Sequence, residues 1–209
     1  MECEENLIEE SGLRFMFDRD NCITKFDEES FYRSEYNKFP ESKGIDILAD
    51  SKDVVQLIEI KNCAGHEAEN MWRTSVNNSK IDFAPHDLDV EGRESLDIEV
   101  VKKVVSTIVC LYGAWTRSKR TEKAAGLLEF WKGINSQRLL NDKKKMLVVL
   151  FLEGDFVSNA PKSRSKKMMM KRIQDSINTK LSWLNCQVSV VDSDTYNGRY
   201  FSVEKVGLE

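Results

Sequence analysis

One short stretch constrains the fold of this chain more than any other. The segment KKMLVVLFLEG at residues 144–154 contains seven consecutive apolar residues, Met146 to Leu152. A strand with one face in water alternates apolar and polar residues, whereas a strand covered on both faces is apolar throughout. The run is also far shorter than the roughly 20 residues of a membrane-spanning helix. We therefore predict a buried strand inside a sheet that other elements cover on both faces.

The remaining periodic segments supply the other strands and the helices. Strand-like patterns occur as a hairpin at 13–26 and as strands at 44–50, 54–61, 186–193 and 200–206. Helical patterns occur at 2–10, 27–38, 96–115, 121–140 and 166–184. The helix at 96–115 carries an apolar stripe made of Val100, Val101, Val104, Val105, Ile108, Val109 and Tyr112. An antiparallel meander followed by a strand–helix–strand crossover predicts an α/β fold, a mixed central sheet with helices on its faces.

Length and composition fit one domain of this kind. The chain has 209 residues, 41% of them hydrophobic, which is enough to bury a core. We predict a single domain over 1–209 with a helical and irregular insertion at about 62–140. The polar stretch 62–96 is long for a connection, and connections of that length are usually functional or mobile.

Several other classes of protein are disfavoured. The N-terminus MECEENLIEE lacks the basic start and apolar run of a secretory signal, so we expect a cytoplasmic protein with no membrane partner. The five cysteines are scattered without a C-x-x-C pair, which disfavours a zinc ribbon or a disulfide framework. The spacing of His66 and His86 matches no metal motif. Oligomeric state, including a homodimer, is left open.

Charge is distributed unevenly along the chain. Residues 1–30 contain ten acidic and three basic side chains, whereas residues 116–172 contain fifteen basic and five acidic ones. The segment PKSRSKKMMMKR at 161–172 has six bases and no acid. Contact with nucleic-acid phosphates requires only such Lys and Arg side chains, and a solvated helix start is the equal alternative. The candidate nucleic-acid contacts are Lys162, Arg164, Lys166, Lys167, Lys171 and Arg172.

Ionisable residues interrupt the two strands within KGIDILADSKDVVQLIEIKN, residues 43–62. Because side chains alternate between the faces of a strand, Glu59 and Lys61 project from one face. Asp46 shares a face with Asp50 on the preceding strand. Antiparallel pairing through the DSKD turn places Asp46 opposite the region of Glu59, so that two carboxylates and an ammonium meet at one end of the sheet.

Such a cluster has a limited range of chemistry. Two neighbouring carboxylates repel each other unless one is protonated or a cation lies between them. Mg²⁺ binds carboxylate oxygens, and the backbone carbonyl of Ile60 could add another oxygen. Lys61 could orient or deprotonate a water, or stabilise charge on a phosphate, so the set suits hydrolysis of a phosphodiester. The alternative is an ordinary exposed cross-strand pair, with Asp46 capping a turn.

Asp46 followed after thirteen positions by Glu59-Ile60-Lys61 resembles the motif of the PD-(D/E)XK nuclease superfamily. The resemblance implies a restriction endonuclease-like fold with an α-β-β-β-α-β core. It implies that Asp46 and Glu59 are metal ligands for Mg²⁺, with Mn²⁺ as a substitute, and that Lys61 is the catalytic lysine. Ile45 stands where many members have proline. Many members add a glutamate from the first helix, for which the candidates are Glu9 and Glu10, with Glu28 and Glu29 as rivals.

The expected function is that of a Mg²⁺-dependent endonuclease acting on DNA, with RNA as the less favoured substrate. The first alternative is a catalytically inactive nuclease-fold module that binds nucleic acid or serves as an assembly subunit. The second is a basic-faced interaction protein with no active site. No glycine-rich phosphate loop, serine nucleophile elbow or Cys–His dyad is evident in the sequence, so no cofactor other than the metal is predicted.

Overall fold

A computed structural model of the protein describes residues 6–77, 94–156 and 162–206, with the backbone alone at 162–164. Its strands are β1 (Asn6–Glu10), β2 (Leu13–Phe17), β3 (Cys22–Lys25), β4 (Ile47–Asp50), β5 (Val54–Asn62), β6 (Lys145–Glu153), β7 (Gln187–Val191) and β8 (Phe201–Lys205). Its α-helices are α1 (Ser30–Ser34), α2 (Glu67–Asn70), α3 (Leu96–Arg117), α4 (Ala125–Ile134), α5 (Gln137–Leu140) and α6 (Lys162–Lys180). Short 3-10 turns cover Phe26–Glu28, Tyr36–Lys38, Met71–Thr74 and Glu122–Ala124.

The central sheet is mixed, as predicted. Its five strands lie in the order β3-β4-β5-β6-β7. The pairs β3–β4 and β4–β5 are antiparallel, and the pairs β5–β6 and β6–β7 are parallel. Every residue of β6 from Val148 to Glu153 is buried, which confirms the prediction of a strand covered on both faces.

The helices cover one face of this sheet, and a second sheet covers the other. Residues of α1, α3, α4 and α6 share a core with the sheet side chains Val55, Leu57 and Leu150. The opposite face, which includes Ile58 and Phe151, packs against a three-stranded antiparallel sheet of order β1-β2-β8. Helices therefore flank the sheet as predicted on one face, whereas strands cover the other face. The connections from β5 to β6 and from β6 to β7 both step in the same direction along the sheet. Because such connections are right-handed, their helices α3 and α6 lie on the same face of the sheet.

Two predictions for the N-terminal part of the chain are wrong. Residues 6–10, predicted within a helix at 2–10, form strand β1, which pairs with β2 from Asn6↔Phe17 to Glu10↔Leu13. The two strands within 13–26 do not form a hairpin with each other, because β2 pairs with β1 and β8 while β3 pairs with β4. Ser11 and Gly12 have φ values of 52° and 75°, the left-handed conformation of a two-residue hairpin turn. A Ser-Gly pair that looks like the end of a helix is here the turn of a hairpin.

The predicted extent of helix α3 is close to the observed one, but only part of its apolar stripe is buried. Val100 and Val104 are buried against the sheet, whereas Val105, Val109 and Tyr112 are exposed. The helix is apolar on more than one side, and the side that faces the sheet also buries polar residues. The helix predicted at 121–140 is split, since α4 ends at Ile134 and the side chain of Ser136 caps α5 by accepting a hydrogen bond from the backbone N–H of Leu139.

The predicted insertion at 62–140 contains α2, α3, α4 and α5, and it connects β5 to β6. Helix α3 contributes Val100, Val104 and Leu111 to the core beneath the central sheet. No helix within the described ranges combines the length and apolarity needed to cross a membrane.

Substitution by alanine should change the free energy of unfolding in opposite directions at two glycines. A Cβ on Gly44 would lie 2.5 Å from a ring carbon of the buried Phe26, whereas one on Gly113 in α3 would meet only Phe31 at 3.7 Å. We expect Gly44→Ala to lower the free energy of unfolding by about 1–3 kcal/mol through overpacking. We expect Gly113→Ala to raise it by up to about 1 kcal/mol through helix propensity. Urea unfolding of both variants tests the packing, and equal stability of Gly44→Ala and the parent would contradict it.

Candidate active site

The predicted approach of Asp46 to Glu59 is present in the structure. Strands β4 and β5 pair with Ile47 opposite Ile58, so Asp46, immediately before β4, lies opposite Glu59. The backbone N–H of Asp46 donates to the carbonyl of Ile58 at 3.2 Å, which extends the ladder to this position. The turn chemistry of DSKD and strand alternation are therefore sufficient to bring the two carboxylates to one end of the sheet.

The Asp46 carboxylate is held by the backbone and by a lysine. Its Oδ2 accepts a hydrogen bond from the N–H of Ile60 at 2.6 Å. Its Oδ1 lies 3.3 Å from Nζ of Lys103, on helix α3. Ile60, predicted to offer its carbonyl to a metal, thus contributes its N–H to positioning Asp46.

Glu59 lies at the centre of the cluster and is only 1% exposed. Its Oε1 accepts from Nζ of Lys103 at 2.6 Å and from Nζ of Lys61 at 2.8 Å. Its Oε2 is buried and has no hydrogen-bond partner among the described residues. A buried carboxylate oxygen without a partner is costly, so this atom marks a position where a proton or a cation would be favourable.

The pKa of Glu59 reflects these surroundings. Burial and then the neighbouring charge of Asp46 raise the pKa to about 7 from its ordinary value of 4.5, although Lys61 and Lys103 act in the opposite direction. Near neutral pH the group therefore exists in both protonation states. Because Oε1 already receives two ammonium groups, Oε2 is the oxygen available to the proton.

This raised pKa predicts a pH dependence of stability. The folded state binds the Glu59 proton more tightly than the unfolded state, so the contribution is fully present below pH 4.5 and is lost as the pH rises through about 7. Between pH 5 and pH 8 the parent should lose about 2–3 kcal/mol of stability from this group relative to Glu59→Gln, which cannot ionise. Urea unfolding of both proteins at the two pH values measures the difference. A stability gap between them that does not change with pH would contradict the assignment.

Lys61 lies between Glu59 and a third acid, Glu99 of α3. Its Nζ is 3.0 Å from Oε1 of Glu99, and the guanidinium of Arg73 binds the other oxygen of Glu99. Burial works against the charge of Lys61, but Glu59 and Glu99 outweigh it and raise the pKa of Lys61 above its ordinary value. Burial likewise opposes the ionisation of Glu99, but Lys61 and Arg73 lower the pKa of Glu99 to about 2. Lys61 is therefore an ammonium at neutral pH, suited to stabilise negative charge and not to remove a proton from water.

Lys103 was not among the predicted site residues, although it contacts both carboxylates. Its side chain is 14% exposed, and it points from α3 toward the sheet. Burial opposes its charge, but Glu59 and Asp46 raise its pKa. The sequence signal was the pair Glu99 and Lys103, four residues apart in a helix predicted to pack on the sheet. Such pairs usually lie on solvated helix faces, which is why periodicity alone passes over this one.

No third acidic ligand joins Asp46 and Glu59 from the predicted candidates. Within the described ranges, no three His, Cys, Asp or Glu side chains are grouped closely enough to hold a metal ion. The four glutamates considered for this role have other partners, which are Arg14 for Glu9, Lys25 for Glu10 and Glu28, and Thr24 for Glu29. Glu9 and Glu10 lie on β1, in the second sheet.

The residues that are present fit a divalent cation on two grounds. Asp46 and Glu59 offer the hard carboxylate oxygens that Mg²⁺ prefers, and Oε2 of Glu59 is a buried oxygen without a partner in the described structure. The position between the two carboxylates is also one that a cation already favours, because the ammonium of Lys103 lies there. Asp46 and Glu59 are therefore the residues that would hold the metal.

An open cleft of about 420 Å³ adjoins Lys61. Lys43, Lys61, His66 and Arg73 line it with basic side chains, and Glu69 and Glu99 contribute acidic ones. The cleft gives a ligand access to the exposed edge of the charged cluster. Because its Lys and Arg side chains outnumber its two glutamates, the cleft is compatible with an anionic ligand.

The predicted phosphate contacts at the start of α6 differ from one another in their surroundings. The ammonium of Lys166 binds the buried carboxylate of Asp192, and Lys171 pairs with Asp175 along the helix. Lys167 and Arg172 are exposed. Lys162 and Arg164 belong to the helix by their backbone, and their side chains lie outside the described part of the structure. The ion pair with Asp192 makes Lys166 a less available phosphate contact than its exposed neighbours.

The tryptophans Trp72, Trp115 and Trp131 differ in exposure, which decides whether they could stack on the bases of a nucleic acid. Trp72 is 8% exposed and belongs to the interior. Trp115 is 48% exposed and stacks on Trp131, with ring centroids 5.6 Å apart. Tyr112 contacts both of these rings, so an aromatic surface lies on the outer side of α3 and α4.

Comparison with known protein families gives a match over most of the chain. Residues 29–205 match the family of unknown function DUF6661. No curated protein and no solved structure matched the chain. The matched region includes all the charged residues of the cluster, namely Asp46, Glu59, Lys61, Arg73, Glu99 and Lys103, and it leaves out β1, β2 and β3. Because the match covers well over half of the sequence, the chain belongs to the DUF6661 family, whose function is unknown.

Proposed function

We propose that the chain is a metal-dependent nuclease that hydrolyses phosphodiester bonds of DNA. The observation that carries the proposal is the meeting of Asp46, Glu59 and Lys61 at one end of the sheet, with a buried oxygen of Glu59 left without a partner in the described structure. A purely structural ion pair has no need of an unsatisfied carboxylate oxygen at its centre.

The order of elements supports a restriction endonuclease-like core. The meander β3–β4–β5 is followed by α3 and by β6, which lies parallel to β5. This order is compatible with the β-β-β-α-β part of the core that the motif implies. Two features depart from that pattern: strands β1 and β2 precede the meander where a helix was expected, and a second sheet covers one face.

Each residue of the cluster has a role that follows from its contacts. Asp46, fixed by the N–H of Ile60, and Glu59 would hold Mg²⁺, which acidifies bound water and compensates charge on the phosphate. Lys61, kept charged by Glu59 and Glu99, would face a scissile phosphate that enters the adjoining cleft. Its ammonium would stabilise the negative charge that builds up on the phosphate oxygens during cleavage.

Basic side chains near the cluster favour a nucleic-acid substrate. Lys43 and Arg73 line the cleft beside Lys61. Lys167 and Arg172 on α6 are exposed and could contact the phosphate backbone of a longer substrate. Such contacts carry no base specificity, so we propose cleavage of DNA without a stated sequence.

An incubation with nucleic acids tests the proposal. Supercoiled plasmid, single-stranded DNA and RNA are each mixed with the protein in Mg²⁺, in Mn²⁺ and in EDTA, and the products are separated on gels. We expect DNA to be cleaved in either metal and to remain intact in EDTA. Survival of all three substrates in both metals would rule out the nuclease function.

One observation favours a second candidate, an inactive nuclease-fold module that binds nucleic acid or assembles with a partner. Within the described cluster, when Glu59 is ionised, the charges of Lys61, Arg73 and Lys103 balance those of the three acids Asp46, Glu59 and Glu99. A cluster that is neutral without a metal can also be a structural element. Retarded migration of DNA on a native gel, without cleavage in either metal, would favour this candidate.

A further inference from the structure

The position of Lys103 carries an inference that rests on the proposed metal site. Its Nζ lies 3.3 Å from Oδ1 of Asp46 and 2.6 Å from Oε1 of Glu59. One ammonium therefore bridges the two side chains that would hold a metal. The bridge reaches across 57 positions of sequence to Asp46, from a helix to a strand end.

The oxygens of the two carboxylates are unequally occupied. Oδ2 of Asp46 is engaged by the N–H of Ile60, which leaves Oδ1 as the oxygen that faces the cluster. Oε1 of Glu59 receives two ammonium groups, and Oε2 is unpaired among the described residues. A divalent cation that binds both carboxylates must therefore share Oδ1 of Asp46 with Lys103 or displace Lys103 from it.

We propose that Lys103 is the internal counter-cation of the metal-free site, which holds Asp46 and Glu59 together and gives way when a divalent cation binds. Two carboxylates held this closely need a cation or a proton between them, and Lys103 supplies the cation before metal arrives. A divalent ion near Oδ1 of Asp46 repels the ammonium at 3.3 Å from the same atom. The ammonium thus competes with the metal, and removing it should strengthen metal binding.

The contacts of Lys103 are compatible with this movement. Its side chain is flexible, and its ammonium binds the same two carboxylates that would bind the metal. Lys61 differs from it, because Lys61 is also bound to Glu99, whose second oxygen is held by Arg73. Lys103 is therefore the cation that can leave, and Lys61 is the one that stays.

The test is Mn²⁺ binding, followed through the electron paramagnetic resonance signal of free Mn²⁺ at pH 8. Lys103→Met keeps the length of the side chain and removes the charge, and we expect it to bind Mn²⁺ at least tenfold more tightly than the parent. Lys103→Gln is a second neutral variant in case the first fails to fold, and it should tighten binding in the same direction. Lys102→Met is the matched control, since Lys102 is 52% exposed on the same helix and pairs with Glu94; its affinity should stay within twofold of the parent.

The possible failures are distinguishable. If the parent binds Mn²⁺, loses it on Asp46→Asn, and the neutral Lys103 variants bind equally or more weakly, the role of Lys103 is wrong and the metal site stands. If neither the parent nor any folded Lys103 variant binds Mn²⁺, the metal site itself is wrong, and both proposals fall. A larger rise of the melting temperature with Mn²⁺ in Lys103→Met than in the parent would independently support the competition, because at a given concentration a tighter ligand stabilises the folded state more.

Discussion

Asp46→Asn is expected to reduce Mg²⁺-dependent cleavage of DNA by on the order of a thousandfold. In the parent, the N–H of Ile60 donates to Oδ2 of Asp46 at 2.6 Å. The asparagine amide retains an oxygen that can accept this hydrogen bond, so the strand geometry should survive. The substitution removes one of the two negative charges that would hold the metal. Loss of about 4 kcal/mol of metal-derived transition-state stabilisation corresponds to about three factors of ten in rate. Single-turnover cleavage of a labelled duplex measures the effect.

Asp50→Asn is the control for this substitution. Asp50 lies four positions after Asp46 and projects from the same face, where its carboxylate forms an ion pair with the buried ammonium of Lys144. Removing its charge should lower stability and leave the cleavage rate per folded molecule within about threefold, because Asp50 is remote from the proposed ligands. Asp46→Asn with the rate of the parent would show that Asp46 is not a metal ligand in catalysis.

Glu99→Gln is expected to lower the free energy of unfolding by about 3 kcal/mol. Glu99 is buried and binds both Lys61 and Arg73, so the variant leaves two largely buried cations without their common anion. Removing one partner of a buried ion pair costs about 3–5 kcal/mol, since the remaining charge stays uncompensated in the interior. The Gln side chain has nearly the same volume, so the loss comes from the charge and not from packing. Urea unfolding at pH 7 measures it.

An exposed ion pair provides the comparison. Glu129 pairs with Lys132 one turn away on α4, and both side chains are more than 60% exposed. Glu129→Gln should change stability by less than about 0.5 kcal/mol, because exposed pairs contribute little in water. Equal losses for the two variants would mean that the Glu99 network is solvated and does not stabilise the fold.

Local patterns in the sequence were sufficient for the central part of the fold. The continuous apolar run of β6 and the alternation in β5 predicted a buried strand and a common face for Glu59 and Lys61, and the structure confirms both. The short turn between β4 and β5 fixed the register that brings Asp46 opposite Glu59. These features depend on residues close together in sequence, where periodicity and turn chemistry decide the geometry.

The parts that were missed depend on contacts between distant segments. Lys103 is 44 positions from Glu59, and no local pattern distinguishes its buried ion pair from a solvated Glu–Lys pair on a helix. The turn at Ser11 and Gly12 can end a helix or close a hairpin, and pairing of β2 with the distant β8 favours the hairpin. The apolar stripe of α3 extends around the helix, so composition could not show that Val109 and Tyr112 would face outward.

The most direct test of the nuclease site is the single-turnover rate of DNA cleavage in Mg²⁺ by Lys61→Ala, compared with Lys102→Ala and the parent. Lys61 contacts Glu59 and borders the cleft, whereas Lys102 is an exposed lysine of α3 that pairs with Glu94. We predict a rate at least a hundredfold below that of the parent for Lys61→Ala, since losing a charged transition-state contact costs about 3 kcal/mol or more, and a rate within twofold for Lys102→Ala. Cleavage by Lys61→Ala as fast as by the parent would contradict the proposed site.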